Sequence, residues 1–358
     1  MNDVHESFMS YAIELAKKGR GGVSPNPLVG CVIVKNGEII GEGFHKEFGK
    51  EHAEVDAFNN CSQTPEDADL YVNLEPCSIL SKTSPCVDRI IENGIKNVYV
   101  GTKDFNPSIN GSGIDKLEKA RINVFQNILE KECYELNKGF FKWIDNGKPW
   151  VIVKIAQSNN GYMGIDSKTS TWITGEDVKV NSHKLRSKVD GILIGRTTAE
   201  VDNPQLTVRK VNGNNPIRVI VDTYRQLPLN LNLFTDNLSE NIILCSKDKF
   251  KQSKTVNSTY LPIKEEDGLL SPCDILNQLG EYGMNTLLIE GGQKIISSFL
   301  NENLVDEVYL YTSKNNLENA YLETPFELNQ DWEVIKEENF EKDALLIARK
   351  KELCLQVL

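Results

Sequence analysis

Four side chains in the first third of the sequence have the types and the spacing to do chemistry together. His52 and Glu54 stand two residues apart in "HAEVDAFNN", and further on "YVNLEPCSILSKTSPC" places Cys77 and Cys86 each directly after a proline. Taken singly these are ordinary: a lone histidine on a helix is more often structural than a ligand. Together, imidazole and thiolate donors suit a tetrahedral zinc ion. Three protein donors leave one corner for water, the arrangement of a catalytic zinc site; structural zinc has all four corners filled by protein. Glu54 is spaced to lie beside such an ion without binding it, where it would take a proton from the water and return it to a leaving amine. That is the chemistry of hydrolytic deamination at an amidine-like ring carbon. The general signature is His-x-Glu followed by Pro-Cys-x-x-Cys, whereas here eight residues separate the two cysteines.

The elements that must hold these residues can be read around them. The N-terminus has a helical apolar rhythm (Phe8, Tyr11, Ala12, Leu15, Ala16). After it the sequence alternates strands with helices: strands at 28–34, 69–74, 96–101 and 122–126, and helices from His52, after Cys86, near 112–120 and near 130–145. Cys77 then follows a strand and Cys86 opens a helix. "DNGKPW" (145–150) is a polar joint, and the pattern restarts with strands at 150–156, 191–195, 217–222, 241–246, 285–292 and 306–313, and helices near 175–187 and 272–281. Two α/β domains are expected, 1–146 and 147–358, with 247–270 as a surface connection.

Composition narrows the class. The 358 residues are more than one core usually organises, and at 40% hydrophobic and 25% charged they suit globular domains in water. No apolar run is long enough for a membrane helix, and the acidic start is unlike a secretory signal, so a cytoplasmic protein is expected. Eight cysteines are too few for a disulfide scaffold, and clustered ones in a reducing compartment bind metal or react. A net charge of −11 spread along the chain argues against a nucleic-acid partner. A small phosphorylated ligand stays open, since a few local donors hold one phosphate.

The second half has no Gly-x-Gly-x-x-Gly turn. "NTLLIEGGQKIISSFL" carries an apolar strand into a helix through Gly291 and Gly292, whose backbone amides could meet a cofactor pyrophosphate. By itself a strand ending in Glu-Gly-Gly is usually only a turn.

With these motifs in order, the sequence resembles the bifunctional deaminase-reductases of riboflavin biosynthesis, over essentially the whole chain. The resemblance runs through "PNPLVGCVIV" (25–34), "GEGFHKEFGKEHAEV" (41–55), "LEPCS" (74–78), "DFNP" (104–107), "KPWVIVKIAQS" (148–158), "STWITG" (170–175), "LRSKVDGILIGRTTAEVDNPQLTVR" (185–209) and "LLIEGG" (287–292). It implies an α/β chain: an N-terminal cytidine-deaminase-like α/β/α sandwich and a C-terminal dihydrofolate-reductase-like α/β domain. It implies deamination of a diaminopyrimidine bearing a phosphoribosylamino group, then reduction of the ribose to a ribityl chain with NADPH, in a homo-oligomer. His52, Cys77 and Cys86 would hold Zn2+ and Glu54 would move the proton. Asn26 and His45 would lie beside the pyrimidine, with Lys82 and Asn106 holding its phosphate and ribose. In the second domain NADPH would meet Ala156, Trp172, Thr198 and Asp202, together with Gly292, Gln293, Lys294, Ile295, Ile296, Ser297 and Ser298. The second substrate site would comprise Ser170, Arg186, Leu206, Arg209 and Glu290, the two arginines suiting a phosphate.

The pattern departs from the family's around the metal residues. Ser78-Ile79, Ser81 and Ser84 stand where Ser-His, Gly and Pro are usual, and Asp56 replaces a histidine in "HAEVHA". From the residues alone three alternatives stay open: the same architecture acting on another aminopyrimidine or purine, a zinc-stabilised binding module without chemistry, and an editor of nucleic-acid bases.

Overall fold

The computed structural model describes residues 2–79, 85–106, 109–166, 168, 170–251 and 257–351. These form two compact units, Met1–Gly147 and Lys148–Leu358. The first contains α1 (Asn2–Lys17), β1 (Gly30–Lys35), β2 (Glu38–Phe44), α2 (Ala53–Asn59), β3 (Asp69–Leu74), α3 (Cys86–Glu92), β4 (Asn97–Thr102), α4 (Ser112–Lys119), β5 (Asn123–Phe125) and α5 (Glu130–Asn146).

Its sheet has the order β2-β1-β3-β4-β5, with β3, β4 and β5 parallel and β1 antiparallel to both of its neighbours. Strand side chains alternate between faces, and the apolar sequence fills both. Cys31, Ile33, Leu70, Val72, Val98 and Val100 pack with Ala53 and Ala57 of α2 and Val87 and Ile90 of α3. Val32, Val34, Tyr71 and Tyr99 pack on the other face with Met9, Ala12 and Leu15 of α1 and Cys133 of α5. The result is the three-layer sandwich expected. The C-terminal ends of β3 and β4 lead directly into the segments bearing Cys77 and Asn106.

The second unit contains β6 (Trp150–Gln157), β7 (Tyr162–Gly164), α6 (Glu176–Arg186), β8 (Gly191–Gly195), α7 (Arg196–Asp202), β9 (Ile217–Val221), α8 (Asn232–Thr235), β10 (Asn241–Ser246), β11 (Ser258–Ile263), β12 (Glu265–Glu266), β13 (Leu269–Leu270), α9 (Pro272–Glu281), β14 (Thr286–Ile289), α10 (Gln293–Asn301), β15 (Glu307–Ser313), β16 (Leu322–Glu323), β17 (Trp332–Asn339) and β18 (Asp343–Lys350). Nine strands form one sheet, β11-β10-β9-β8-β14-β6-β15-β18-β17, parallel from β11 to β15 and closed at one edge by the antiparallel β18 and β17. Val151, Val153 and Ile155 of β6 face one core, while Trp150 and Ile152 face the other.

One expectation is corrected here and one element is added. Residues 247–270 are more than a surface connection: "STYLPI" pairs in parallel with β10 as the edge strand β11. The C-terminal hairpin β17–β18 was not anticipated. In both β11 and β17 the half-exposed edge position admits polar residues, which breaks the apolar run that marks a buried strand.

Candidate functional site

In the first unit, His52 occupies the N-cap of α2 in extended backbone (φ −74°, ψ 162°), so its ring projects just ahead of the helix. Cys77 follows β3 through Glu75 and Pro76, and Pro85 caps α3, of which Cys86 is the first residue. The Cys86 N–H lies 3.4 Å from Cys77 Sγ, and the Val87 N–H donates to the Cys77 carbonyl at 3.3 Å. His52 Nδ1 is 3.3 Å from Cys86 Sγ and 3.5 Å from Cys77 Sγ. One donor atom from each of the three falls within 4.8 Å of the others.

The electrostatics fit a cation. The hydrogen bond to Cys86, acting against burial and aided by His52, draws the Cys77 thiol far below its ordinary pKa. The hydrogen bond to Cys77 pushes His52 up to about 9. One thiolate, that of Cys77, therefore faces positive charge while the bond to Cys77 and burial push the Cys86 thiol up, and two sulfurs with one imidazole are the donor set of a zinc ion. Glu54, 3% exposed, hydrogen-bonds toward Cys86, and burial raises its carboxyl while the His52 charge opposes.

His45 is buried, its ring edge-on to that of His52 with centroids 5.6 Å apart. Its Nδ1 lies 2.9 Å from the Glu51 carbonyl, which can only accept, so Nδ1 carries the proton and Nε2 accepts from Asn26 Nδ2 at 3.0 Å. Burial lowers the His45 pKa, in keeping with a neutral ring. The Asn26 amide is thereby fixed in orientation. Asp56, the departure from the family pattern, accepts from the Phe44 N–H (3.2 Å) and pairs with Lys46 Nζ (2.7 Å), bracketing His45 on both sides.

Asn106 is half-buried, its N–H bonded to Asp104 Oδ1 at 2.8 Å. Lys82 lies outside the described residues. Asp104 was passed over in the sequence although it sits inside "DFNP". It is 5% exposed, and burial, reinforced by Glu75 and Cys77, lifts its carboxyl to about 6. An aspartate two residues beyond the end of the buried strand β4 was the available signal.

In the second unit the polar group gathers just beyond the end of β14, beside Lys154 within β6. Arg186, the last residue of α6, donates from Nε and Nη2 to the two Glu290 oxygens, each at 2.8 Å, and from Nη1 to the Thr207 carbonyl at 3.3 Å. Burial would raise the Glu290 carboxyl, yet Arg186 and, beyond it, Lys154 bring it from 4.5 down to about 2. Arg209 is exposed; its Nη1 reaches Gln205 and Thr207, and its N–H donates to His183 Nδ1. Leu206 is buried with a positive φ of 52°, a backbone kink that turns this segment toward Arg186.

Gly291 and Gly292 lie against α7. A Cβ on Gly291 would stand 2.9 Å from Thr198 Cγ2, and Gly292 has φ +79°. Both positions therefore require glycine. Gln293 opens α10, whose Ile295 and Ile296 side chains pack into or against the core; Gln293 itself bonds to the Glu323 carbonyl, and Ser298 Oγ to the Ile295 carbonyl. Lys294 and Ser297 lie on the same helix, and Ala156 is half-buried on β6. Trp172 is 78% exposed with Lys179 Nζ 4.4 Å above its ring, and Ser170 and Asp202 are exposed.

Lys154 went unread in the sequence. It interrupts the apolar strand "WVIVKIA", and burial lowers its pKa against the pull of Glu290. Because Val153 pairs with Ile289, Lys154 falls beside Glu290. A single lysine in an otherwise apolar central parallel strand was the signal.

Comparisons with known proteins agree with this layout. Residues 2–102 match the cytidine and deoxycytidylate deaminase zinc-binding region, and residues 149–313 match the RibD C-terminal domain. The chain is 37% identical to riboflavin biosynthesis protein RibD of Actinobacillus pleuropneumoniae over 322 residues, 89% of this chain and 86% of that protein. It is 38% identical to the protein of the same name from Bacillus amyloliquefaciens, covering 86% of this chain and 84% of that one. Among solved structures, a diaminohydroxyphosphoribosylaminopyrimidine deaminase/5-amino-6-(5-phosphoribosylamino)uracil reductase from Thermotoga maritima superposes with a TM-score of 0.86 at 34% identity, covering 98% of this chain and 99% of that one. Acinetobacter baumannii RibD gives a TM-score of 0.84 at 30% identity over the same shares.

Proposed function

This chain belongs to the RibD family of riboflavin biosynthesis proteins, bifunctional enzymes with a zinc-binding deaminase domain and an NADPH-dependent reductase domain, and from that premise we propose how its own residues divide the work. Residues 1–146 deaminate 2,5-diamino-6-(5-phosphoribosylamino)pyrimidin-4-one by hydrolysis, and residues 147–358 reduce the ribose of the product to a ribityl chain. The observation that carries the first half is the convergence of His52, Cys77 and Cys86 within 4.8 Å with the buried Glu54 at its side.

His52, Cys77 and Cys86 would hold the zinc, which when bound would activate water for attack on the ring carbon. Glu54 moves the protons. Buried beside these residues, its carboxylate takes a proton from the attacking water and delivers it to the departing amino nitrogen, so that a C–O bond forms, the C–N bond breaks and the nitrogen leaves as ammonia. Neutral His45 fixes Asn26 so that one amide N–H is occupied, leaving Oδ1 and the second N–H for the pyrimidine edge. Asn106 and Lys82 hold the ribose and phosphate, and Asp104 joins them as a buried carboxyl beside the base.

In the second half NADPH, when bound, supplies the hydride. The Gly291–Gly292 turn with Thr198 leaves room for its phosphates at the start of α10, in the region Gly292 to Ser298, and Ala156, Trp172 and Asp202 complete its contacts. Glu290, kept ionised by Arg186, and Lys154 address the sugar hydroxyls. Three Arg186 hydrogen bonds go to Glu290 and Thr207, so the exposed Arg209, with Ser170 and Leu206 beside the sugar, is the better placed of the two arginines to meet the phosphate.

We place the protein in the cytoplasm as a homo-oligomer without nucleic-acid partners. The acidic balance supports the last point, and among the described residues no helix is long and apolar enough to cross a membrane. The test is to incubate zinc-loaded protein with the diaminopyrimidine and NADPH, following ammonia and NADPH oxidation together. Stoichiometric release of one ammonia for each NADPH consumed is expected. Ammonia from a different aminopyrimidine or purine, with none from this one, would overturn the substrate assignment.

A further inference from the structure

Glu75 stands between the last residue of β3 and the Pro76-Cys77 pair, and it is 4% exposed. Its carboxylate is engaged entirely by backbone. Oε2 accepts from the N–H groups of Asp104 (3.3 Å) and Gly111 (2.9 Å), and Oε1 from those of Gly113 (2.9 Å) and Ile114 (3.4 Å). Asp104 and Gly111 belong to the two ends of the segment joining β4 to α4, and Gly113 and Ile114 to the first turn of α4. The Asp104 carboxylate then accepts the N–H of Asn106, whose carbonyl in turn accepts from Ile109 and Asn110. On the far side, Ser78 Oγ and Ser112 Oγ are 2.6 Å apart, and a Cβ on Gly113 would fall 2.2 Å from the Pro76 carbonyl oxygen. The segment is thus fastened onto the stretch that delivers Cys77, with Glu75 as the fastening.

We propose that Glu75 is a positioning residue of the deamination site: acting through Asp104, it sets where Asn106 stands relative to the His52, Cys77 and Cys86 group and thereby governs binding of the ribosyl phosphate arm of the pyrimidine. The inference rests on the deaminase reading given above. A carboxylate has two acceptor oxygens for four converging N–H groups, whereas an amide has one oxygen and turns an NH2 toward the remaining donors. Glu75→Gln therefore releases part of the segment without changing the size of the side chain.

The experiment uses the full-length, zinc-loaded chain and steady-state ammonia release from the diaminopyrimidine. For Glu75→Gln the expectation is unchanged zinc stoichiometry, KM raised about tenfold or more, and kcat within about threefold of the parent. Because Glu75 acts through Asn106, the double variant Glu75→Gln/Asn106→Ala is expected to be no worse than Asn106→Ala alone. A KM equal to the parent's, or losses that multiply in the double variant, would overturn the proposal. Should Glu75→Gln lose zinc, Gly113→Ala loosens the same fastening from the opposite side; raised KM with zinc retained supports the proposal, and a normal KM refutes it. If the parent protein itself, zinc-loaded, releases no ammonia, the deaminase reading fails and the role of Glu75 fails with it.

Discussion

Arg186 and Glu290, far apart in sequence, meet through two parallel hydrogen bonds of 2.8 Å, and both side chains are largely buried, at 14% and 6% exposure. A fork of this kind fixes the carboxylate's direction as well as its charge. It also joins the end of α6 to the end of β14, at the carboxyl ends of the parallel strands where open α/β sheets bind ligands.

This pairing makes stability depend on pH with a definite sign. The Glu290 carboxyl is lowered from 4.5 in the unfolded chain to about 2, so its contribution is complete above about pH 5 and is lost as pH falls toward 2. The contribution is roughly 3 kcal/mol. Urea unfolding of Glu290→Gln against the parent is expected to show a gap at pH 7 that narrows by pH 3. A gap independent of pH would mean that Glu290 is not ionised by Arg186. Reductase activity should fall in the same variant while ammonia release stays intact.

Lys154 should matter to reduction and little to folding. Replacing a half-buried ammonium with an apolar side chain of similar length is often neutral or stabilising, and Glu290 keeps Arg186 as its partner. Lys154→Met is expected to lower kcat/KM for the reduction about a hundredfold with the melting temperature unchanged or higher. Normal reduction by a stable Lys154→Met would remove it from the site.

Gly292 adopts φ +79°, where any side chain is strained by ~1 kcal/mol or more, and Gly291 has no room for a Cβ against Thr198. Gly292→Ala is therefore expected to weaken NADPH binding about tenfold, read by quenching of protein fluorescence, with deamination untouched. Undiminished NADPH affinity would place the cofactor phosphates elsewhere.

How much of this could be read from sequence follows from burial. Strands such as β3, β4 and β8 are apolar on both faces, so their runs and the alternating helices were plain, and the three-layer arrangement of the first unit followed. The edge strand β11 opens on Ser-Thr within a polar stretch and reads as part of a connection, while β17, with its lysine and glutamates, gives no strand signal at all. Within the site, His52 with Glu54 and Cys77 with Cys86 stand in two short motifs that announce their chemistry by type. Lys154 and Asp104 do so only by being polar at positions next to apolar runs, and the Arg186–Glu290 pairing has no local signal at all. Asp56 shows the reverse case: a departure from the expected histidine is absorbed by its bond to the Phe44 N–H and its pairing with Lys46, leaving His45 in place.

The most direct test is Glu54→Gln, assayed for bound zinc, ammonia release and NADPH oxidation in one preparation. The expected result is one zinc per chain as in the parent, deamination reduced by about a thousandfold, and full reduction when the deaminated pyrimidine is supplied. A parent protein that binds no zinc, or a Glu54→Gln protein that releases ammonia at the parent's rate, would contradict a deaminase built on His52, Cys77, Cys86 and Glu54.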